Sequence, residues 1–314
     1  MYVLFNVILP VFLVIGTGYL SIWRQWLSAK SIDSLTSFAQ NFAIPCLLFY
    51  AIAKIEISEH FNLWLLLSFY ISALTCFTIG FLAAHFYFKR SKEEAICIGF
   101  SCLFSNSLLL GLPITENAYG STALGPNYAI IAFHAPFCYF IGILSMELCQ
   151  SSNKISNFTN VLSNIFNLVF KNPLIFAIFL GLVVNTFGIP IPSLIWNSLN
   201  IIKNAALPTA LFALGGALYQ YRPAGDGLTI FLIIFVSIIL HPALVYFAGI
   251  SSPLNVEQLR SAVITAAMAP GINAFLFAST YKKAQRVVAS SILLGTLATV
   301  CLLYTSDAAD ETCR

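Results

Sequence analysis

Ten apolar runs, each about as long as a bilayer is thick, constrain the fold of this chain more than any other feature. A spanning helix needs about 20 apolar residues. The chain is 59% hydrophobic and 9% charged, and a soluble domain cannot bury so much apolar surface. We therefore predict an all-α polytopic membrane protein with ten transmembrane helices, at about 2–22, 33–53, 61–88, 95–119, 126–149, 170–188, 193–219, 226–249, 258–281 and 284–300.

The basic residues predict the orientation of these spans. Cytoplasmic loops of membrane proteins carry an excess of Lys and Arg. Only Lys54, Lys203 and Arg260 lie in the even-numbered loops. We therefore expect the N-terminus outside a cytoplasmic (inner) membrane and the odd-numbered loops in the cytoplasm. Those loops hold Arg24, Lys30, Lys89, Arg90, Lys92, Lys154, Lys171, Arg222, Lys282, Lys283 and Arg286.

The first apolar run and the last 14 residues of the chain each have a feature that bears on the number of native spans. The first apolar run lacks a basic leader and a small-residue cleavage site, so we interpret it as a mature helix rather than a signal peptide. At the other end, "CLLYTSDAADETCR" (301–314) turns acidic within a few residues and resembles the translation of a sequencing adapter. We interpret 301–314 as a non-native tail and expect the tenth span to end near Val300.

Familiar enzyme and metal motifs are absent. Of the eight cysteines, Cys301 and Cys313 lie in the suspected tail; the other six show no CxxC spacing, so we predict that they are buried apolar thiols rather than a metal site. No HExxH, GxSxG or intramembrane aspartate pair occurs. We therefore predict no enzyme activity, no cofactor, no bound metal and no nucleic-acid partner.

The two halves of the sequence resemble each other. "NFAIPCLLF" (41–49) aligns with "NAALPTALF" (204–212), and each matched pair, such as Asn41 and Asn204, is 163 residues apart. The same offset joins Pro10 to Pro173 and Gly18 to Gly181. We therefore predict two repeats, 1–149 and 170–300, joined by a cytoplasmic linker at 150–169.

The number of spans makes the predicted repeat an inverted one. Each half holds five spans, an odd number, so the second copy enters the membrane from the opposite side. Inverted repeats are typical of secondary transporters, whose substrate site lies near the bilayer midplane between the repeats.

Two spans carry helix-breaking residues in their interior. The fourth contains Gly111 and Pro113, and the ninth contains Pro270 and Gly271. Non-helical backbone at that depth survives only where protein buries it or a polar cavity adjoins it. We expect the breaks to cross near the midplane, so that each second half-helix directs its positive N-terminal end at the centre, which favours a carboxylate.

Polar residues flank both breaks. Ser105, Asn106 and Ser107 precede the break in the fourth span, and Gly271 and Asn273 follow the one in the ninth. We predict that they bind substrate. The alternative is that they only hydrogen-bond neighbouring helices or compensate for the proline breaks.

Further prolines and ionisable residues have plainer interpretations. Two pairs, Asn41 with Pro45 and Asn204 with Pro208, are expected to kink the second and seventh spans. His134 and His241 lie within spans and either pack or relay protons. No Asp or Glu lies near the centre of any span, so the coupling ion, H⁺ or Na⁺, stays open, as does uniport.

Taken together, these motifs resemble the auxin efflux carrier family, in its bacterial form. The resemblance extends over 1–300 and depends on "NSLLLGLP" (106–113), "KNPLIFAIFLGL" (171–182), "ALPTALFALGGAL" (206–218) and "AMAPGINAFLFASTY" (267–281). It departs at Ser105 and Leu108, where the family often has glycines.

The resemblance implies an architecture and a substrate class. It implies ten spans in two inverted repeats, with the fourth and ninth helices broken and crossing at the substrate site, where Asn106, Pro113, Pro270 and Asn273 match the family pattern. Spans one, two, six and seven would form a scaffold that commonly dimerises. The other six would form an elevator-like transport domain.

The implied substrates are organic anions, such as dicarboxylates or auxin-like acids. The alternative function is a channel or a ligand sensor that uses the same cavity; saturable counterflow would distinguish a carrier.

Overall fold

The described part of the chain is built from helices. The computed structural model describes residues 2–54, 62–150, 173–220 and 226–312, and no β-strand occurs in those ranges. Short π-helical or 3-10 turns lie at Ala39–Ala43, Ala83–Tyr87, Ser107–Gly111, Ser121–Leu124 and Val236–Leu240. The α-helices are α1 (Tyr2–Trp23), α2 (Ala29–Phe38), α3 (Ile44–Lys54), α4 (Leu63–Leu82), α5 (Lys92–Leu103), α6 (Leu112–Tyr119), α7 (Gly125–Gln150), α8 (Pro173–Thr186), α9 (Ser193–Asn204), α10 (Ala206–Gln220), α11 (Gly227–Phe235), α12 (His241–Ile250), α13 (Val256–Ala266), α14 (Ile272–Tyr281) and α15 (Gln285–Thr312).

Five helical segments of the described chain are long and apolar enough to cross a membrane. They are Ala29–Lys54, Leu63–Tyr87, Ser121–Gln150, Ser193–Tyr219 and Gly227–Ile250. Shorter apolar helices occupy Leu9–Trp23 and Pro173–Thr186. The prediction of an all-helical, multi-spanning membrane protein is confirmed at this level.

The predicted linker and the predicted end of the last span can each be compared with the structure. Apart from Gln150, which ends α7, the predicted linker at 150–169 lies outside the described residues. The last helix, α15, continues past Val300 to Thr312. It does so because residues 301–312 contain neither glycine nor proline, the two residues that most disfavour a helix interior.

The described helices form two compact units that cut across the sequence halves. One unit contains α1 from Pro10 onward together with α2, α3, α8, α9 and α10. The other contains α4 to α7 and α11 to α15. The first of these units holds helices from the predicted spans one, two, six and seven, and the other holds helices from the remaining predicted spans.

Two glycines allow helices to pack closely in the unit that contains α1 from Pro10 onward, α2, α3 and α8 to α10. A methyl group added at Gly18 would overlap the carbonyl oxygen of Phe212, and one at Gly181 would lie 3.1 Å from the carbonyl oxygen of Phe49. Gly18 and Gly181 are 163 residues apart, and so are Phe49 and Phe212. Two equivalent pairs of helices therefore approach each other at equivalent glycines.

The predicted kinks of the second and seventh spans also lie in this unit. Asn41 falls inside the π-helical turn Ala39–Ala43, and Pro45 is the second residue of α3. At the equivalent place, Asn204 ends α9 and Pro208 lies in the first turn of α10. Both helices are irregular there. The Asn41 amide donates to Ser37 in its own helix at 3.0 Å.

In the unit that contains α4 to α7 and α11 to α15, equivalent helix caps recur at nearly the same sequence offset as the glycine contacts. Asn62 caps α4 and Asp226 caps α11, each accepting from the backbone N–H two residues on. Ser91 caps α5 and Asn255 caps α13, each accepting from the N–H three residues on. Both pairs of caps are 164 residues apart, one residue from the offset found in the other unit.

The break in the fourth span is not where Gly111 and Pro113 placed it. Its non-helical residues are Phe104–Asn106, upstream of both. Pro113 does not break the helical segment that begins at Ser107; it follows directly after a π-helical turn, Ser107–Gly111, which alters the backbone hydrogen-bond ladder before it. The break in the ninth span lies where it was predicted, between the end of α13 and Gly271, the N-cap of α14.

The glycine contact predicts a stability difference within α1. Gly18→Ala is expected to lower the free energy of unfolding by about 1–3 kcal/mol, because the methyl group forces two backbones apart. The matched control is Gly16→Ala in the same helix, where a methyl group meets nothing within 4 Å. Thermal unfolding in detergent measures both, and equal melting temperatures would contradict the prediction.

Candidate functional site

The two broken segments are joined through their backbones. The N–H of Asn106 donates to the carbonyl oxygen of Ala269 at 2.8 Å, and the N–H of Gly271 donates to that of Phe104 at 2.9 Å. Ser105 and Pro270 face each other between these bonds as an isolated antiparallel bridge. Peptide groups that the breaks release therefore satisfy one another, as buried non-helical backbone requires.

Two helix N-termini meet at this crossing. Asn106 is the N-cap of the helical segment that begins at Ser107, and Gly271 is the N-cap of α14. Neither cap is closed by a side-chain hydrogen bond. A methyl group at Gly271 would lie 3.5 Å from the Asn106 Cα atom, so the two positive helix ends are adjacent. Each end carries a partial charge of roughly +0.5.

Two buried polar atoms at the crossing lack a partner. Ser105 and Asn106 are 3% and 4% exposed, and no hydrogen-bond partner is found for the Ser105 Oγ or the Asn106 Nδ2. Leaving such a donor unpaired costs about 1–3 kcal/mol. A cost of that kind at a helix crossing favours a site that a ligand completes.

The other residues predicted for the site lie around these two. Ser107 is buried at the start of its helical segment, and Gly111 packs against Met268 of the other broken segment. Asn273 lies in the first turn of α14, half-buried, and its Oδ1 accepts from the Tyr139 hydroxyl at 3.5 Å. The structure therefore brings Ser105, Asn106, Ser107, Gly111, Pro270, Gly271 and Asn273 to one region, whereas Pro113 lies farther along α6, and Asn41, Pro45, Asn204 and Pro208 belong to the other unit.

Helix α7 packs against the crossing through His134. A His134 ring nitrogen, Nε2, lies 3.1 Å from the carbonyl oxygen of Ser105, and its ring packs edge-on against Phe104. His134 is 2% exposed. Sequence analysis left two roles open for His134, packing and proton relay. Its contacts in the structure are those of a packing and hydrogen-bonding group.

Asn127 of α7 ties the two broken segments together. Its Nδ2 donates to the Thr115 hydroxyl at 3.2 Å and to the Thr265 hydroxyl at 3.0 Å. Thr115 lies in α6 and Thr265 in α13, and all three residues are fully buried. Sequence reasoning missed this cluster. The available signal was a set of single polar residues inside three apolar spans.

Aromatic rings flank the site. Phe100 and Phe277 stack with centroids 4.1 Å apart, and Gly142 provides the space, since a methyl group there would lie 2.6 Å from Phe100. Tyr139 packs against both rings. Six cysteines whose side chains are described are free thiols: Cys76, Cys97, Cys102 and Cys138 are buried, as predicted, whereas Cys46 and Cys149 are only half-buried. Within those ranges no three His, Cys, Asp or Glu side chains are placed to hold a metal ion.

Comparison with known proteins identifies the family. A family model described as "Membrane transport protein" matches residues 3–305, nearly the whole chain. The chain belongs to the auxin efflux carrier family of membrane transporters. The resemblance found in the motifs is thereby confirmed, and the protein is a membrane transporter.

Several relatives align over most of their length. "Uncharacterized transporter YfdV" of Escherichia coli (strain K12) is 24% identical over 297 residues, 92% of each chain. "Putative malonate transporter" of Rhizobium meliloti (strain 1021) is 24% identical over 300 residues, 94% of this chain and 92% of the relative. "Auxin efflux carrier component 5" of Arabidopsis thaliana is 22% identical over 348 residues, 99% of this chain and 97% of the relative.

The Asn127 cluster predicts a stabilising role. Asn127→Ala is expected to lower the free energy of unfolding by about 1–3 kcal/mol, because it removes the donor shared by two buried hydroxyls. The control is Thr78→Val, whose exposed hydroxyl bonds to Leu74 within its own helix. Melting temperatures in detergent decide the comparison, and an Asn127→Ala protein as stable as wild type would refute the role.

Proposed function

We propose that this transporter carries a small organic anion, with the substrate carboxylate held at the crossing of the two broken helices. One observation supports the proposal above the others: two uncapped helix N-termini lie side by side, next to an unpartnered amide and an unpartnered hydroxyl. All four groups can donate hydrogen bonds, and helix N-termini favour negative charge. The printed name of the Rhizobium meliloti relative, which specifies malonate, is consistent with this substrate class.

Each residue has a specific part in the proposed complex. The Asn106 Nδ2 and the Ser105 Oγ donate to the carboxylate, and Gly271 lets the anion approach the backbone because it has no side chain. Ser107 and Asn273 lie beside these groups and contact the remainder of the substrate. No buried carboxylate is found beside them in the described chain, so the anion meets no like charge. This arrangement binds charge with dipoles and amides, which avoids the expense of burying a free cation.

The architecture that we propose is ten transmembrane helices in two inverted repeats, 1–149 and 170–300. The sequence offset of 163 supports it, and so do the glycine contacts and helix caps that recur at 163 and 164 residues. The backbone bonds at the crossing also join one half of the chain to the other. On this architecture the membrane is the cytoplasmic one and the N-terminus lies outside, as the distribution of basic residues predicts.

The transport cycle that we propose is elevator-like. The unit made of α4 to α7 and α11 to α15 contains every residue of the crossing, so it can carry the substrate without breaking the site apart. The unit containing α2, α3 and α8 to α10 acts as the scaffold, which is also where a homodimer would form. A cycle of this kind moves a complete site across the membrane rather than opening a pore.

The roles of the two asparagines are tested by substitution in proteoliposomes. Asn106→Ala is expected to weaken malonate binding by about tenfold to a hundredfold, because a hydrogen bond to a charged group contributes about 1.5–3 kcal/mol. Asn273→Ala is expected to weaken it less, since its amide is half-buried and partly engaged by Tyr139. Uptake and counterflow of labelled malonate measure both effects.

The matched control is Asn41→Ala, an exposed asparagine in the other unit whose amide bonds to Ser37. It should leave malonate affinity unchanged. Unaltered affinity in Asn106→Ala, with saturable transport intact, would remove this residue from the site. Flux that rises with concentration without saturating would instead favour a channel.

A further inference from the structure

A polar cavity lies in the same unit as the crossing, at the ends of other helices. It has a volume of about 400 Å³. Its polar lining consists of Arg90, Glu94, Asp226, Lys282, Gln285 and Arg286, and Ile98 and Val287 form an apolar floor. Both floor residues are buried, at 0% and 6% exposure. Ligand sites in proteins commonly have volumes of about 300–1,000 Å³ with few polar groups on an apolar base.

The charge of this cavity is positive on balance. Arg90, Lys282 and Arg286 oppose Glu94 and Asp226, three cations against two carboxylates. Asp226 is already engaged: it accepts from the Thr229 hydroxyl at 2.7 Å and from the Leu228 N–H at 3.1 Å. These bonds, the Thr229 one above all, lower the pKa of Asp226, and Arg90 adds to the effect. The carboxylate therefore serves chiefly as the cap of α11.

Two of the three cations have no ion-pair partner in the described part of the chain, and the third has a single long contact. Arg90 contacts Asp226 through one nitrogen, Nη2, at 3.5 Å, which leaves its other donors available. In the described part of the chain, neither Lys282 nor Arg286 forms an ion pair. Exposed cations that converge on a cavity without acidic partners are suited to an external anion.

Three helices begin around the cavity, two of them already capped by side chains, Ser91 for α5 and Asp226 for α11. Glu94 lies in the first turn of α5, Asp226 caps α11, and Gln285 and Arg286 open α15. Gln285 is fixed by its Nε2, which lies 3.4 Å from the Ser279 hydroxyl at the end of α14. The N-terminal ends of these helices carry the positive side of the helix dipole.

We propose that this cavity binds a phosphate group, supplied either by a phosphate monoester in solution or by the headgroup of an anionic lipid. Three cations around one cavity exceed what a single carboxylate needs, whereas a phosphate presents three oxygens and up to two negative charges. The basic loops that line the cavity are those predicted to face the cytoplasm, where both sources of phosphate are present. This inference is independent of the substrate proposed for the crossing.

The site connects to the crossing through one helix. α5 begins beside the cavity and ends at Leu103, next to the break at Phe104–Asn106. It has 12 residues, so its ends are about 18 Å apart at 1.5 Å per residue. A phosphate bound at the start of α5 would thus stabilise one arm of the crossing without entering it.

The test uses the purified full chain and two named probes. The first is inorganic phosphate, titrated at constant ionic strength in detergent and followed by calorimetry. The second is a nanodisc containing phosphatidic acid, compared with one of phosphatidylcholine alone by melting temperature. Saturable phosphate binding indicates a soluble phosphate ester, and protection by phosphatidic acid alone indicates a lipid headgroup. Both results support the proposal.

The variants separate a built site from general attraction. Lys282→Gln and Arg286→Gln should each weaken binding by about two- to fivefold, the effect of losing one exposed charged contact. Glu94→Gln should strengthen it, because a like charge is removed. Arg286→Lys should retain most of the affinity, which separates loss of charge from misfolding. The matched control is Lys89→Gln: Lys89 and Lys282 both have left-handed backbone, φ 53° and 55°, but Lys89 does not line the cavity.

Two results would overturn the proposal. One is the absence of both saturable phosphate binding and any preference for phosphatidic acid. The other is an equal loss of binding in Lys89→Gln and Lys282→Gln, which would show non-specific attraction to a basic surface.

Discussion

A reciprocal pair of backbone hydrogen bonds organises this transporter. Asn106 donates to Ala269 and Gly271 donates to Phe104, so each broken segment supplies what the other lost. In a membrane an unsatisfied peptide group costs several kcal/mol, and a single broken helix would bear that cost alone. The crossing makes two breaks tolerable together, and it leaves two helix N-termini adjacent at one point.

The rest of the unit holds the crossing in place while leaving its donors unused. Asn127 links both segments through Thr115 and Thr265, and His134 contacts the Ser105 carbonyl. These supports use the side of the crossing that faces α7. The Asn106 Nδ2 and the Ser105 hydroxyl stay unpaired, and in the proposed function these two donors bind the substrate carboxylate.

The sequence allowed the crossing of two broken helices to be predicted, but not the position of the break in the segment that contains Asn106. Pro270 and Gly271 mark a true break, since a proline next to a glycine ends a helix locally. Pro113 misled because the helical segment that begins at Ser107 accommodates it directly after a π-helical turn. The true break at Phe104–Asn106 contains neither residue, and its position depends on pairing with the other segment. Asn127 was missed for a similar reason: one of its partners, Thr265, is 138 residues away, and nothing local announces that contact.

The most direct test of this account is a cryo-electron microscopy structure of the full chain with malonate bound. The account predicts density for a carboxylate within about 3 Å of the Asn106 Nδ2, beside Gly271 and the start of α14. Malonate density elsewhere in the protein, with the Asn106 and Ser105 side chains paired to other protein groups, would contradict it.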